Sequence, residues 1–132
     1  MVRILVIDDC HLLVSALKQV LTSAGYVVLG TSSSRQGIEL LQRESVQLVI
    51  TDLHMPAPDG VELLRWAGRE KPTIPFIVFS GHVAPRSLFR EVRSLGAVFT
   101  LQKPMTTGRL LESVEAALDR NYGSLILPAT GT

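Results

Sequence analysis

Five short apolar runs alternate with five stretches of helical periodicity along the chain. "RILVI" (3–7) is continuous and rich in branched residues, the pattern of a strand covered on both faces. After it, Leu13, Leu17, Val20 and Leu21 recur at helical spacing, with Gly25 placed as a C-terminal stop. "YVVLG" (26–30) predicts a second strand. "SRQGIELLQRE" (34–44) predicts a second helix, with the serines before it as N-cap candidates. "VQLVITD" (46–52), "PFIVFS" (75–80) and "AVFTLQ" (97–102) read as the third to fifth strands. "GVELLRWAGRE" (60–70), weakened by Gly68, "PRSLFREVRSLG" (85–96), with Pro85 near its first turn, and "GRLLESVEAALDR" (108–120) read as the third to fifth helices. Strand–helix alternation repeated five times predicts an α/β fold with a parallel sheet. Right-handed crossovers then place helices on both sheet faces. One domain over residues 1–120 accounts for all ten elements. The remaining "NYGSLILPATGT" (121–132), rich in Gly, Pro and Thr, reads as a tail or the start of a linker.

Composition narrows the class without choosing a function. With 132 residues, 46% of them hydrophobic, the chain supports one real core and is too apolar for disorder. A formal net charge of +1 gives no case for direct binding to nucleic acid or an anionic membrane. Cys10 is the only cysteine, so no internal disulfide exists and a reducing compartment fits. No apolar run reaches the roughly 18–20 residues of a membrane span. Acids at positions 8 and 9 arrive too early for a signal peptide. The expectation is a cytoplasmic domain.

Chemistry concentrates where the predicted strands end. Parallel α/β sheets bind ligands beyond the carboxyl ends of their strands. The first strand runs into Asp8-Asp9, the third ends on Asp52, the fourth on Ser80, and the fifth leads to Lys103-Pro104. The second ends blandly on Gly30-Thr31. A carboxylate at the last step of a buried strand is costly unless it is paired, hydrogen-bonded or metal-bound. Three acids on one rim outweigh one lysine, so the site attracts a hard cation with oxygen ligands, and Mg²⁺ suits one or two carboxylates plus phosphate oxygens. A carboxylate is ionised at pH 7 without a general base, so Asp52 needs none to act as a nucleophile.

"VIDD" (6–9), "VITDLHMPAPDG" (49–60), "FIVFSG" (76–81) and "GAVFTLQKP" (96–104), in this order at strand ends, resemble the receiver domain of bacterial two-component response regulators. The resemblance covers residues 2 to about 120. It implies a flavodoxin-like (βα)5 fold, doubly wound around a five-stranded parallel sheet of order 2-1-3-4-5. It implies that Asp52 is the phosphoacceptor, and that Asp9 holds Mg²⁺ (or Mn²⁺) directly with Asp8 acting mainly through water. Asp52 and the backbone carbonyl of His54 complete the metal site. Ser80 would hydrogen-bond the phosphoryl group and Lys103 would pair with it, with Lys103-Pro104 in the cis form. The implied partners are a histidine kinase or phosphotransfer protein upstream and an output domain or downstream protein. Homodimerisation is compatible with the family. Beyond its own phosphorylation and dephosphorylation, no enzymatic activity is implied.

One departure and several competing readings stand beside that resemblance. Family members commonly carry an aromatic residue three positions before the lysine of the fifth strand; here that position is Thr100, and Phe99 falls one residue early, on the opposite strand face. Arg86, Arg90 and Arg93 share one face of the fourth helix, while Leu88, Val92 and Leu95 share the core face. In the family, that helix, the fifth strand and the last helix form the usual output surface; a solvated basic face is the plainer alternative. A haloacid-dehalogenase-like phosphatase also uses a strand-end aspartate but wants a second acid two residues on, where His54 stands. A degenerate receiver serving only as a docking module usually lacks an acid, the hydroxyl or the lysine, and none is missing. A flavodoxin-like FMN carrier would need a hydroxyl-rich loop after the first strand. "GTSSSRQG" (30–37) lacks a P-loop lysine and reads as an N-cap cluster. Cys10, His11 and His82 read as ordinary surface or loop residues, and Met55-Pro56 and Asp59-Gly60 as loop-shaping residues.

Overall fold

The structure, a computed structural model, describes residues 1–81 and 86–119. His82, Pro85 and the 121–132 tail lie outside the described residues. Ten elements alternate in chain order: β1 (Arg3–Ile7), α1 (His11–Ser23), β2 (Val27–Thr31), α2 (Ser34–Arg43), β3 (Leu48–Asp52), α3 (Gly60–Glu70), β4 (Phe76–Ser80), α4 (Arg86–Ser94), β5 (Ala97–Gln102) and α5 (Thr107–Leu118). All strand pairings are parallel and the sheet order is β2-β1-β3-β4-β5, as expected.

The unbroken apolar runs of β1, β3 and β4 are explained by their central places, where both faces are covered. Ile4, Val6, Leu48, Ile50, Ile77, Phe79 and Leu101 pack with Leu17 and Leu21 of α1 and Leu110 and Val114 of α5. On the other face, Leu5, Ile7, Val49, Phe76 and Val78 pack with Leu41 of α2, Leu63, Leu64 and Ala67 of α3 and Val92 of α4. The edge strand β2 is less buried and ends on Thr31, one residue beyond the predicted boundary. Tyr26, expected in β2, instead donates its backbone N–H to Leu21 O at the exit of α1. Gly25 turns the chain there with a φ of +100°, a conformation L side chains rarely adopt.

Local sequence sets the helix starts. Ser33 caps α2 by accepting from Gln36 N, so the serine cluster does work as an N-cap. Asp59 and Glu62 form a reciprocal capping box at α3. Thr106 accepts from Arg109 N at α5. One irregularity breaks the strand pattern: Phe76 pairs with Ala97 but Ile77 pairs with Phe99, so β5 bulges by one residue. The bulge lets Ala97 face the α3/α4 side while Phe99 and Leu101 face α1 and α5.

Gly60 is required by close approach rather than by its dihedral angles. A Cβ there would sit 2.7 Å from both Asp52 O and Leu53 Cα, and Gly60 N donates to Leu53 O at 3.1 Å. The α3 N-terminus is thus pressed against the end of β3. Gly60→Ala is expected to destabilise the fold by about 1–3 kcal/mol through backbone displacement. Gly108→Ala, where a Cβ meets nothing within 4 Å, is expected to stabilise it by about 0.4–1 kcal/mol. Urea midpoints of the two variants against wild type check both signs.

Candidate functional site

The ends of β3, β4 and β5 are held level by backbone hydrogen bonds that continue past the strands, a further such bond ties β1 to β2, and the register of Ile7 on Thr51 sets β1 beside β3. Asp8 N donates to Thr31 O, Leu53 N to Phe79 O and Lys103 N to Ser80 O, at 3.2, 2.9 and 2.8 Å. The residues singled out at four strand ends therefore converge on one rim. Asp8, Asp52 and Ser80 are buried, at 1%, 5% and 1% exposure, whereas Asp9 is exposed.

Lys103 reaches across from β5 to both buried acids. Its Nζ lies 2.8 Å from Asp8 Oδ2 and 3.4 Å from Asp52 Oδ2. The other oxygen of Asp8 accepts from Cys10 N at 2.9 Å, and Asp52 Oδ1 accepts from His54 N at 3.3 Å. Each buried carboxylate thus uses one oxygen on a local backbone N–H and presents the other to the lysine. Partial burial works to lower the Lys103 pKa, but the hydrogen bond to Asp8 and the charges of Asp8 and Asp52 outweigh it, leaving the pKa raised.

Asp8, Asp9 and Asp52 each place an oxygen within 4.8 Å of the others, a cluster of hard oxygen donors. One lysine set against three carboxylates leaves the rim electronegative. Ser80 Oγ lies 3.4 Å from His54 Nε2, so the imidazole shares the rim with the hydroxyl. The sequence singled out His54 for its carbonyl; its side chain's place beside Ser80, at the end of the next strand, carries no local sequence signal. The Lys103-Pro104 peptide is cis, as the resemblance implied, and Ala57-Pro58 is cis as well.

Residues 4–115 match the family model described as the response regulator receiver domain. The chain belongs to the response regulator receiver family. Among curated relatives, it is 31% identical over 119 residues to the transcriptional regulatory protein GlrR of Escherichia coli (strain K12), covering 90% of this chain and 27% of that protein. It is 33% identical over 116 residues to the transcriptional regulatory protein FixJ of Bradyrhizobium diazoefficiens, covering 88% and 56%. The receiver therefore spans only about a quarter to a half of these two relatives. Among solved structures, a CheY-like response regulator receiver domain protein from Methanospirillum hungatei JF-1 superposes with a TM-score of 0.86 at 27% identity, covering 94% of this chain and 98% of that one. No helix among the described residues of the receiver is long and apolar enough to cross a membrane.

Removing the lysine head group should expose what it holds together. Lys103→Met leaves two buried carboxylates without their cation, an expected loss of about 2 kcal/mol at neutral pH. A raised folded-state pKa means that this stabilisation is complete below the ordinary lysine value, about 10.4, and is lost as pH rises through the higher folded value. Urea stabilities of wild type and Lys103→Met should therefore differ at pH 8 and converge above the lysine range. An undiminished gap at high pH would assign the effect to packing instead of charge.

Proposed function

We propose that this receiver is a phosphorylation-dependent switch in which Asp52 accepts a phosphoryl group from a histidine kinase or phosphotransfer protein. The observation that carries the proposal is the placement of Asp52: a buried carboxylate at the end of a central strand, beside a lysine and within 4.8 Å of two further acids. An Asp52 carboxylate oxygen attacks phosphorus, and the bond from phosphorus to the donor atom breaks with its electron pair leaving on the donor. The product is a mixed carboxylic–phosphoric anhydride at Asp52, later hydrolysed by water.

The carboxylate cluster fits Mg²⁺ by its donor chemistry. Asp9, Asp52 and the His54 carbonyl would hold the ion, with Asp8, whose two oxygens already engage Cys10 N and Lys103, acting through water. When bound, the metal supplies positive charge to the transferring phosphoryl oxygens. Lys103 adds a second cation, and Ser80 offers a hydroxyl donor to a phosphoryl oxygen. The haloacid-dehalogenase-like alternative gains nothing here, since the position two residues after Asp52 places an imidazole against Ser80, not a second acid.

Acetyl phosphate with Mg²⁺ is expected to add one phosphoryl group to wild type, detected by intact mass, and none to Asp52→Asn. Asp9→Ala should abolish Mg²⁺ binding followed by Trp66 fluorescence, and Asp8→Ala should weaken it less. Undiminished labelling of Asp52→Asn overturns the assignment.

Signal would leave through Ser80. A hydrogen bond from its hydroxyl to an ionised phosphoryl oxygen exists only in the phosphorylated state and is worth about 1.5–3 kcal/mol, enough to bias the position of α4. Thr100 is short and β-branched, without the reach for a large rotamer swing. Ser80→Ala should therefore erase most phosphorylation-dependent NMR shifts over residues 86–95, and Thr100→Ala should preserve them. The reverse result rejects this route.

A further inference from the structure

Between α4, β5 and the start of α5 lies a groove of about 710 Å³ whose lining includes none of Asp8, Asp9 and Asp52. Its volume falls within the range of sites that enclose a small molecule. Arg86, Arg90 and Arg93 line it from α4 and Arg109 from α5. Phe89 and Met105 add apolar surface, and none of the lining residues is acidic. Thr100 lines it from β5, at the position where family members commonly carry an aromatic residue. A threonine there leaves open a volume that a ring would fill. Thr106, the N-cap of α5, also lines the groove, so the positive end of that helix dipole borders it.

We propose that this groove binds a small-molecule ligand, a nucleotide carrying two or three phosphates, with its base against Phe89 and its phosphates among the arginines. The proposal goes beyond phosphoryl transfer at Asp52 and does not depend on it. Charge, ring chemistry and shape select that ligand class. Guanidinium groups are planar forks that hold phosphate oxygens bidentately, and several of them together match a di- or triphosphate better than the single charge of a carboxylate. An aromatic ring gives a base a stacking face, which an inorganic anion cannot use. The Thr100 hydroxyl and the Gln102 amide share the same lining and supply donors and acceptors for a base edge or a ribose. The arginines come from two helices, α4 and α5, with β5 contributing between them. A merely solvated basic face needs neither a second helix nor an open floor. Here both coincide with the one position at which the chain departs from the family pattern, so the departure that removes an aromatic also makes the room.

The test is fluorescence polarisation of N-methylanthraniloyl-ADP against the full 132-residue chain, with EDTA present so that no metal at the carboxylate rim takes part. Saturable binding is expected, and unlabelled ADP should displace the probe about 10-fold better than inorganic pyrophosphate, the margin a stacked base supplies. Affinity should fall by about 10-fold or more in Arg90→Gln/Arg109→Gln, which removes one phosphate fork from each helix. Thr100→Phe, which refills the open space without changing charge, should lower it as well. Arg43→Gln/Arg69→Gln, which removes the same charge from α2 and α3 outside the groove, should bind as wild type does, and urea midpoints of all variants check that each is folded. No saturable binding, binding indifferent to both groove variants, or an equal loss in the α2/α3 variant overturns the proposal. Pyrophosphate that competes as well as ADP also overturns it, because the patch would then hold phosphate alone. So does a 12-residue Asp/Glu-rich peptide that displaces the probe at lower concentration than ADP, since a protein segment would then be the occupant.

Discussion

The site depends on keeping two buried carboxylates close together, and Lys103 is the charge that allows it. Asp8 ends β1 and Asp52 ends β3, neighbouring strands, so their side chains meet wherever the sheet forms. Like charges this close and this shielded from water repel strongly. The lysine that offsets them comes from β5, which lies beyond β4 on the far side of β3. Its reach back to both acids requires β4 to sit between and all four strands to end at the same level. The bonds from Leu53 N to Phe79 O and from Lys103 N to Ser80 O supply that alignment. Topology and electrostatics therefore constrain each other: another strand order would leave the acids without their cation.

The same level rim explains why the loops around it are tightly specified. The α3 N-terminus can approach the end of β3 only because Gly60 lacks a Cβ, and the Asp59–Glu62 box then fixes where α3 begins. Each carboxylate also takes a backbone N–H from two residues downstream, Cys10 for Asp8 and His54 for Asp52. The loops thus orient the acids they follow. Rigid placement of this kind holds reacting groups in geometry without reorganisation during reaction.

Much of this was legible in the sequence because it is written in local patterns. Continuous β-branched runs marked the covered strands, and polar residues at their ends marked the rim, so Asp8, Asp9, Asp52, Ser80 and Lys103 could be named together before any geometry was known. The serine cap of α2 was equally local, whereas the Asp59–Glu62 box at α3 reads in the sequence only as loop-shaping. The β5 bulge was hidden because alternation in "AVFTLQ" is too short and too apolar to reveal a slipped residue. The His54–Ser80 contact joins positions 26 residues apart through the pairing of β3 with β4, and no spacing rule announces it. The basic stripe on α4 was visible as helical spacing, but its meeting with Arg109 of α5 and with Thr100 of β5 emerged only from the packing of three elements.

Charge is distributed unequally over the described residues. At the strand rim, three carboxylates share one lysine, so the resting site lacks positive charge and suits a cation together with an incoming anionic group. Across α4, β5 and α5, Arg86, Arg90, Arg93 and Arg109 line a groove together with Phe89 and Met105. Arg65–Glu91 ties α4 to α3 on its other side, with both side chains about half exposed, a contact too solvated to lock the helix. Val92 is the fully buried anchor of α4, and Leu88 and Leu95 are only partly covered. One deep anchor and one solvated ion pair hold α4 more lightly than the sheet holds its central strands.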